Sequence, residues 1–178
     1  NYFCMAVTCA LDQYICRDMP ELCLHPAVAN GWDGKAKCWD AEGRVATLEL
    51  FLDGCHMRLG SVYMPVHSGE GVEGRRNCLA CVKTASQNVV DQGCAIFGGD
   101  WNSHIGRDDV AGRQALVKES SDGGKMMLKW LRDEVPGKMV VVDHMLAARS
   151  RGTWCHTRTG VWYELDYFLC SKQYVGRF

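Results

Sequence analysis

The chain lacks any apolar run long enough to cross a membrane, which excludes a helical transmembrane protein. It also lacks a basic start followed by a clean apolar stretch, so no signal peptide is expected and an intracellular location, nuclear or cytoplasmic, is. Charge of one sign is not in excess. Twenty Lys and Arg stand against 21 Asp and Glu, for a formal net charge of -1. The chain as a whole is therefore no polycation, which argues against tight nonspecific nucleic-acid binding while leaving a local basic face open. Internal repeats and low-complexity linkers are missing too, so residues 1–178 are read as one domain.

Cysteine is plentiful instead, at 11 residues, but without the grouping of a disulfide framework. Cys78 and Cys81 form a lone CxxC, with no second pair or fitting histidines for zinc. A reducing compartment and small core thiols are the simpler expectation. With 47% hydrophobic and 23% charged residues, the composition is that of a globular domain. From Lys138 onward, Lys138, Arg149, Arg151, Arg158, Lys172 and Arg177 outnumber Asp143, Glu164 and Asp166, so a local basic face stays open there beside an ordinary solvated surface.

The stretch with the most chemical content is Cys94 to Gly106, CAIFGGDWNSHIG. Its short apolar run, with a β-branched residue and an aromatic, predicts a buried strand. Two glycines and then Asp100 and Asn102 follow, at the carboxyl end of that strand. A carboxylate that can take a proton from water, beside an amide that donates and accepts, suits catalysis. From spacing alone the same residues better suit an ordinary strand end closed by an Asx turn.

Around this stretch the pattern is mixed. Residues 1–30 show no period. Arg44 to Leu52 alternates like a strand, with Val45 and Thr47 on one face and Ala46 and Leu48 on the other. Asp53-Gly54 signals a hairpin turn into a partner strand from about Cys55 to Met64, ended by Pro65. Tyr63 thus falls near a strand end. Val72, Leu79, Val82, Ala85 and Val89 recur at helical spacing between Gly71 and Asp91, with Gly93 as the stop. Ser120 or Ser121 is placed to cap a second helix bearing Met126, Met127, Trp130 and Leu131, although Gly123 and Gly124 weaken its start. Met139 to Val142 reads as another buried strand. Trp154–Thr157 and Glu164–Cys170 read as a last hairpin turning at Thr159-Gly160. Pattern alone reaches α/β or α+β.

Three of these stretches, in order, resemble the endonuclease/exonuclease/phosphatase superfamily. GGDWNSHIG is similar to its GDFN or GDWN signature. Ser61-Val62-Tyr63-Met64-Pro65 resembles its NVYxP strand, and Glu164-Leu165-Asp166-Tyr167-Phe168-Leu169 its IDYIL strand. Thr153-Trp154 stands where relatives carry TW or TF. The trailing HIG resembles non-LTR retrotransposon endonuclease domains and the craniofacial development protein-like group most. The resemblance covers about residues 30–175. It implies an α/β fold, a four-layer sandwich of two packed mixed sheets flanked by helices, incomplete at both ends. It also implies metal-dependent phosphodiester hydrolysis, with Mg²⁺ or Mn²⁺ in the complete domain.

Residue by residue, the resemblance makes Asp100 the group that orients or deprotonates the attacking water. Asn102 holds that water or a phosphate oxygen, and Tyr63 hydrogen-bonds the phosphate. Asp166 orients a late histidine, and Thr153 contacts the nucleic-acid backbone. Tyr63, Asp100 and Asp166 should then converge on one cleft. The implied partner is nucleic acid, DNA rather than RNA, with no membrane and with room for a fused reverse transcriptase in a parent element. The chain departs from the family where an early Asn, a metal-binding Glu and a final Ser-Asp-His motif are expected. Glu21 lies in the wrong context, and His144 and His156 do not replace the final histidine. No metal ligand is therefore assigned, and weak or absent activity of this chain is expected. A non-catalytic remnant that binds nucleic acid or protein, or a phosphatase of the same superfamily, stays open as an alternative.

Overall fold

A computed structural model describes residues 35–38, 44–52, 55–68, 71–87, 89, 93–108, 118–135, 138–142 and 152–173. Among them, six strands form one mixed sheet. In chain order these are β1 (Lys35–Cys38), β2 (Val45–Leu52), β3 (Cys55–Tyr63), β4 (Gly93–Asp100), β5 (Met139–Val141) and, after a two-stranded ribbon, β8 (Asp166–Ser171). The ribbon is β6 (Trp154–Cys155) with β7 (Trp162–Tyr163). Two helices complete the set, α1 (Gly71–Gln87) and α2 (Asp122–Asp133). The sheet runs β1-β2-β3-β4-β8-β5. Only the β3–β4 pair is parallel, and α1 is the crossover that such a pair needs. The α/β class read from the sequence holds.

The alternation read in β2 sets the inner face. Val45, Val62, Ala95, Phe97, Leu169, Tyr167, Met139 and Val141 share one cluster with Cys78, Leu79 and Val82 of α1 and Met127, Leu128 and Leu131 of α2. Both helices thus pack toward the same side of the sheet. Each large side chain buried there contributes roughly 1.5–3 kcal/mol. Ser121 is the N-cap of α2, its side chain accepting from the Gly124 amide at 3.2 Å. That satisfies one of the amides the first turn leaves unpaired.

Three readings need correction. Trp154–Cys155 pairs with Trp162–Tyr163 rather than with Glu164–Cys170. The chain leaves the ribbon at Glu164 because β8 is captured between β4 and β5, where both its edges are hydrogen-bonded. Gly93 does not stop α1, which ends at Gln87, but begins β4. Gly123 and Gly124 do not weaken α2. Both are buried, and a Cβ would meet Ser103 Oγ at 2.1 Å or the His104 carbonyl at 2.2 Å, so their smallness lets the loop after β4 rest on the helix. The Asp53-Gly54 turn, Glu21, Asp143, His144, Arg149, Arg151 and Arg177 lie outside the described residues.

Candidate active site

The carboxyl ends of β3 and β4 and the amino end of β8 meet at one sheet margin. Tyr63 is the register partner of Asp100, and Asp100 of Asp166. Paired residues project to the same face of a sheet. The three side chains therefore form a row across three neighbouring strands, opposite the helices. Tyr63 is 45% exposed, Asp166 is exposed, and Asp100 is half-buried between them.

The row is built by close backbone approach. Gly99 has φ of 150°, and a Cβ there would lie 1.9 Å from the Val62 carbonyl. Glycine alone permits this. The Asx turn allowed by the sequence is present. The Asn102 amide donates to Asp100 Oδ1 at 2.8 Å, and Asn102 itself takes the left-handed conformation at φ 46°. Asn102 Nδ2 donates to the Met64 carbonyl at 2.8 Å, tying the loop to the end of β3. The structural and the chemical reading of Asp100-Trp101-Asn102 thus describe the same turn.

Burial pushes the Asp100 carboxyl above its ordinary value. The Asn102 amide pulls it back, neighbouring Asp166 raises it, and the Arg75 guanidinium lowers it. A carboxyl lifted toward neutrality is a better proton acceptor than an ordinary one. Burial likewise lowers His104, which favours its neutral form.

Several residues that hold the site were not read from the sequence. Trp101 is fully buried, its ring N–H donates to the Tyr167 carbonyl at 3.0 Å, and its amide donates to the Leu165 carbonyl at 2.8 Å. Tyr167 donates its hydroxyl to the Glu164 carbonyl at 2.6 Å and accepts the Ile105 amide at 2.9 Å. The aromatic members of the DWN and LDY motifs therefore bind the two motifs to each other. Arg75 lies beneath, 1% exposed, donating to the carbonyls of Pro65 and Trp101 and to Ser103 Oγ. The signal for it was its position. Arg75 falls on the helical stripe of Val72, Cys78, Leu79 and Val82, where only apolar residues were sought.

Thr153 Oγ1 accepts the amides of Leu165 and Asp166 at 3.0 and 3.1 Å, so it holds the backbone of Asp166 at the start of β8. Next to it the rings of Trp154 and Tyr163 lie 6.0 Å apart, with His104 5.6 Å beyond Tyr163. His156 stands edge-on to Trp154 and accepts the Thr159 amide at 3.3 Å. Among the described residues, no three His, Cys, Asp or Glu side chains come together as a metal would need, so the residues present do not by themselves fit a divalent ion. Of the cysteines expected to be small core thiols, Cys78, Cys94 and Cys170 are buried, and Cys78, Cys81, Cys94, Cys155 and Cys170 carry no disulfide.

No protein-family model and no curated protein matches the chain. Solved structures do. The endonuclease domain of TRAS1, a telomere-specific non-LTR retrotransposon, matches at 16% identity and a TM-score of 0.52, over 81% of this chain and 58% of that one. The AP endonuclease LMAP from Leishmania major matches at 16% identity and a TM-score of 0.58, over 84% and 56%. An AP endonuclease from Archaeoglobus fulgidus matches at 15% identity and a TM-score of 0.53, over 81% and 60%. The chain spans somewhat more than half the length of these neighbours. Its mixed sheet and crossover helix thus share the endonuclease/exonuclease/phosphatase fold of these neighbours.

Proposed function

We propose that the row at the sheet margin is the phosphodiester site of an endonuclease-type hydrolase of the retrotransposon kind, acting on nucleic acid, with DNA favoured over RNA. The observation that carries this reading is the side-by-side placement of Tyr63, Asp100 and Asp166 by strand register. The similarity to a retrotransposon endonuclease domain and to AP endonucleases supports it. In this reading Asp100 accepts a proton from the attacking water, for which its raised pKa suits it. The Tyr63 hydroxyl donates to a phosphate oxygen, and Asn102 fixes the carboxylate by its backbone amide. Asp166 keeps the margin negative beside Asp100. Thr153 fixes Asp166 and stands exposed where a nucleic-acid backbone would pass. A divalent ion, Mg²⁺ or Mn²⁺, supplies charge neutralisation at the phosphate in hydrolysis of this type.

The test is a fluorescence binding titration with short DNA and RNA duplexes, beside nicking of supercoiled plasmid in Mg²⁺, Mn²⁺ or EDTA. DNA should bind in a salt-dependent way. Asp100→Asn should bind at least as tightly, because one negative charge facing the phosphates is gone. In a domain that also carries the metal-binding Glu and the final Ser-Asp-His motif from which this chain departs, nicking should fall by about 10²–10⁴ in that variant, the usual cost of losing a positioned base, whereas the 178-residue chain itself should nick weakly or not at all. A wild-type chain that binds neither duplex, or full nicking by Asp100→Asn, would overturn the reading.

A further inference from the structure

We propose that Arg75 is a positioning residue for this site, fixing the loop that carries Asp100 and Asn102 against the end of β3 that carries Tyr63. The proposal rests on the reading of that row as the functional site. It begins from an oddity of α1. Its buried stripe of Arg75, Cys78, Leu79, Val82 and Ala85 contains one guanidinium among apolar groups. A buried arginine is costly unless its donors are met. Nη1 and Nη2 of Arg75 are met by the segments that build the site, while Nε is buried without a hydrogen-bond partner.

Nη1 donates to the Pro65 carbonyl at 2.6 Å, two residues beyond Tyr63, and to the Trp101 carbonyl at 3.1 Å. Nη2 donates to the same Trp101 carbonyl at 3.1 Å and to Ser103 Oγ at 2.7 Å. Nη2 also lies 3.5 Å from the Gly123 carbonyl in the first turn of α2. One planar fork thus joins the exits of β3 and β4 and the start of α2, and Asn102 lies between its two anchors on the loop. The planar, always-charged guanidinium is the side chain suited to such several-point bonding. Among the described residues no carboxylate pairs directly with it. Its charge instead acts on Asp100, each favouring the ionised form of the other. Burial lowers Arg75 itself to about 10, still charged at neutral pH. The groups facing Asp100 are Tyr63 from β3, Asp166 from β8, the Asn102 amide and Arg75 from α1.

The experiment uses the 178-residue chain and NMR. Amide hydrogen exchange is followed at Asn102 and, as reference, at Leu48 in β2. The Asp100 carboxyl is titrated by its ¹³C shift. The variants are Arg75→Met, Arg75→Lys and, as a control on losing a buried arginine, Arg58→Met. Arg58 is equally buried but is ion-paired to Glu49 and bonded to the Ala85 carbonyl, away from the loop.

In Arg75→Met, Asn102 exchange should rise by about tenfold or more relative to Leu48, the size expected for losing charge-assisted hydrogen bonds. The Asp100 titration should move to higher pH. Arg75→Lys should keep the titration near wild type while recovering only part of the protection, because its charge is present but its fork is not. Should Arg75→Met fail to fold, Ser103→Ala and Gly123→Ala decide. A Cβ at Gly123 would meet Ser103 Oγ at 2.1 Å and the guanidinium carbon at 3.0 Å. Both variants should shift Asn102 exchange in the same direction. Wild-type values of Asn102 exchange and Asp100 titration in Arg75→Met would overturn the proposal. So would an equal Asn102 effect in Arg58→Met, which marks a general loss of stability. DNA binding measured on the same samples separates the two ideas. A chain that binds no DNA while Arg75→Met still loosens Asn102 refutes the functional reading and leaves the positioning role standing.

Discussion

The loop after β4 and the β6–β7 ribbon flank the same row of residues, yet they are made in opposite ways. The loop from Trp101 to Gly106 is held from below by Arg75, from β8 by Tyr167 and, just ahead of α2, by Ser120 and the N-cap Ser121. Trp101, Ser103 and Ile105 in it are buried. The ribbon has two-residue strands, and Trp154, Val161 and Trp162 are exposed at 43%, 46% and 49%. One side of the margin is fixed by buried hydrogen bonds. The other presents rings to solvent. Rigid placement suits groups that must meet a reacting bond, whereas exposed rings suit contact with a large ligand.

The contrast breaks most plainly at tryptophan. Trp101→Ala should cost about 3–5 kcal/mol, because it leaves a cavity in the core and removes the ring's hydrogen bond to the Tyr167 carbonyl. Trp162→Ala should stay within about 0.5 kcal/mol, as surface changes usually do. Denaturant unfolding of both variants measures this, and similar losses would erase the distinction. Next comes Tyr167→Phe, which removes the hydroxyl that bridges the Glu164 carbonyl and the Ile105 amide. Leaving the buried Ile105 amide without its acceptor should cost about 1–3 kcal/mol in the same measurement.

These partners show what could be read beforehand. The β4 strand and its Asp100 turn were legible because a short apolar run and a GDWN turn are local signals. Tyr63 was legible because Pro65 ends its strand. Arg75 was not, because a charge suggests solvent, and only tertiary packing shows that its two terminal nitrogens are met inside. The pairing of Trp154 with Tyr163 was hidden because strands of two residues have no period. Gly123 and Gly124 looked like poor helix formers, since the loop that rests on them is distant in sequence.

Smaller effects sharpen the contrast. Trp154→Ala should leave stability nearly unchanged and weaken nucleic-acid binding by about 1 kcal/mol, the lower range for one stacked base. Equal affinity in a filter-binding titration would mean that the ribbon takes no part in binding. Smallest is the pH effect of Asp100. Its carboxyl is raised in the folded state, so ionisation opposes folding as pH rises through that value. Asp100→Asn keeps the acceptor for the Asn102 amide without the charge. It should therefore be slightly more stable than wild type at neutral pH, with the gain gone below the unfolded carboxylate range. Thermal melts at pH 7 and pH 3 test the sign.

The central claim is that Tyr63, Asp100 and Asp166 form the surface that meets nucleic acid. It is tested most directly by mapping amide shifts of the labelled chain during titration with a short DNA duplex. The account predicts the largest shifts at Tyr63, Asn102, Thr153 and Asp166, extending to Trp154 and Tyr163. Shifts confined to the outer face of α1, around Glu73, Arg76 and Ala80, with the row silent, would contradict it.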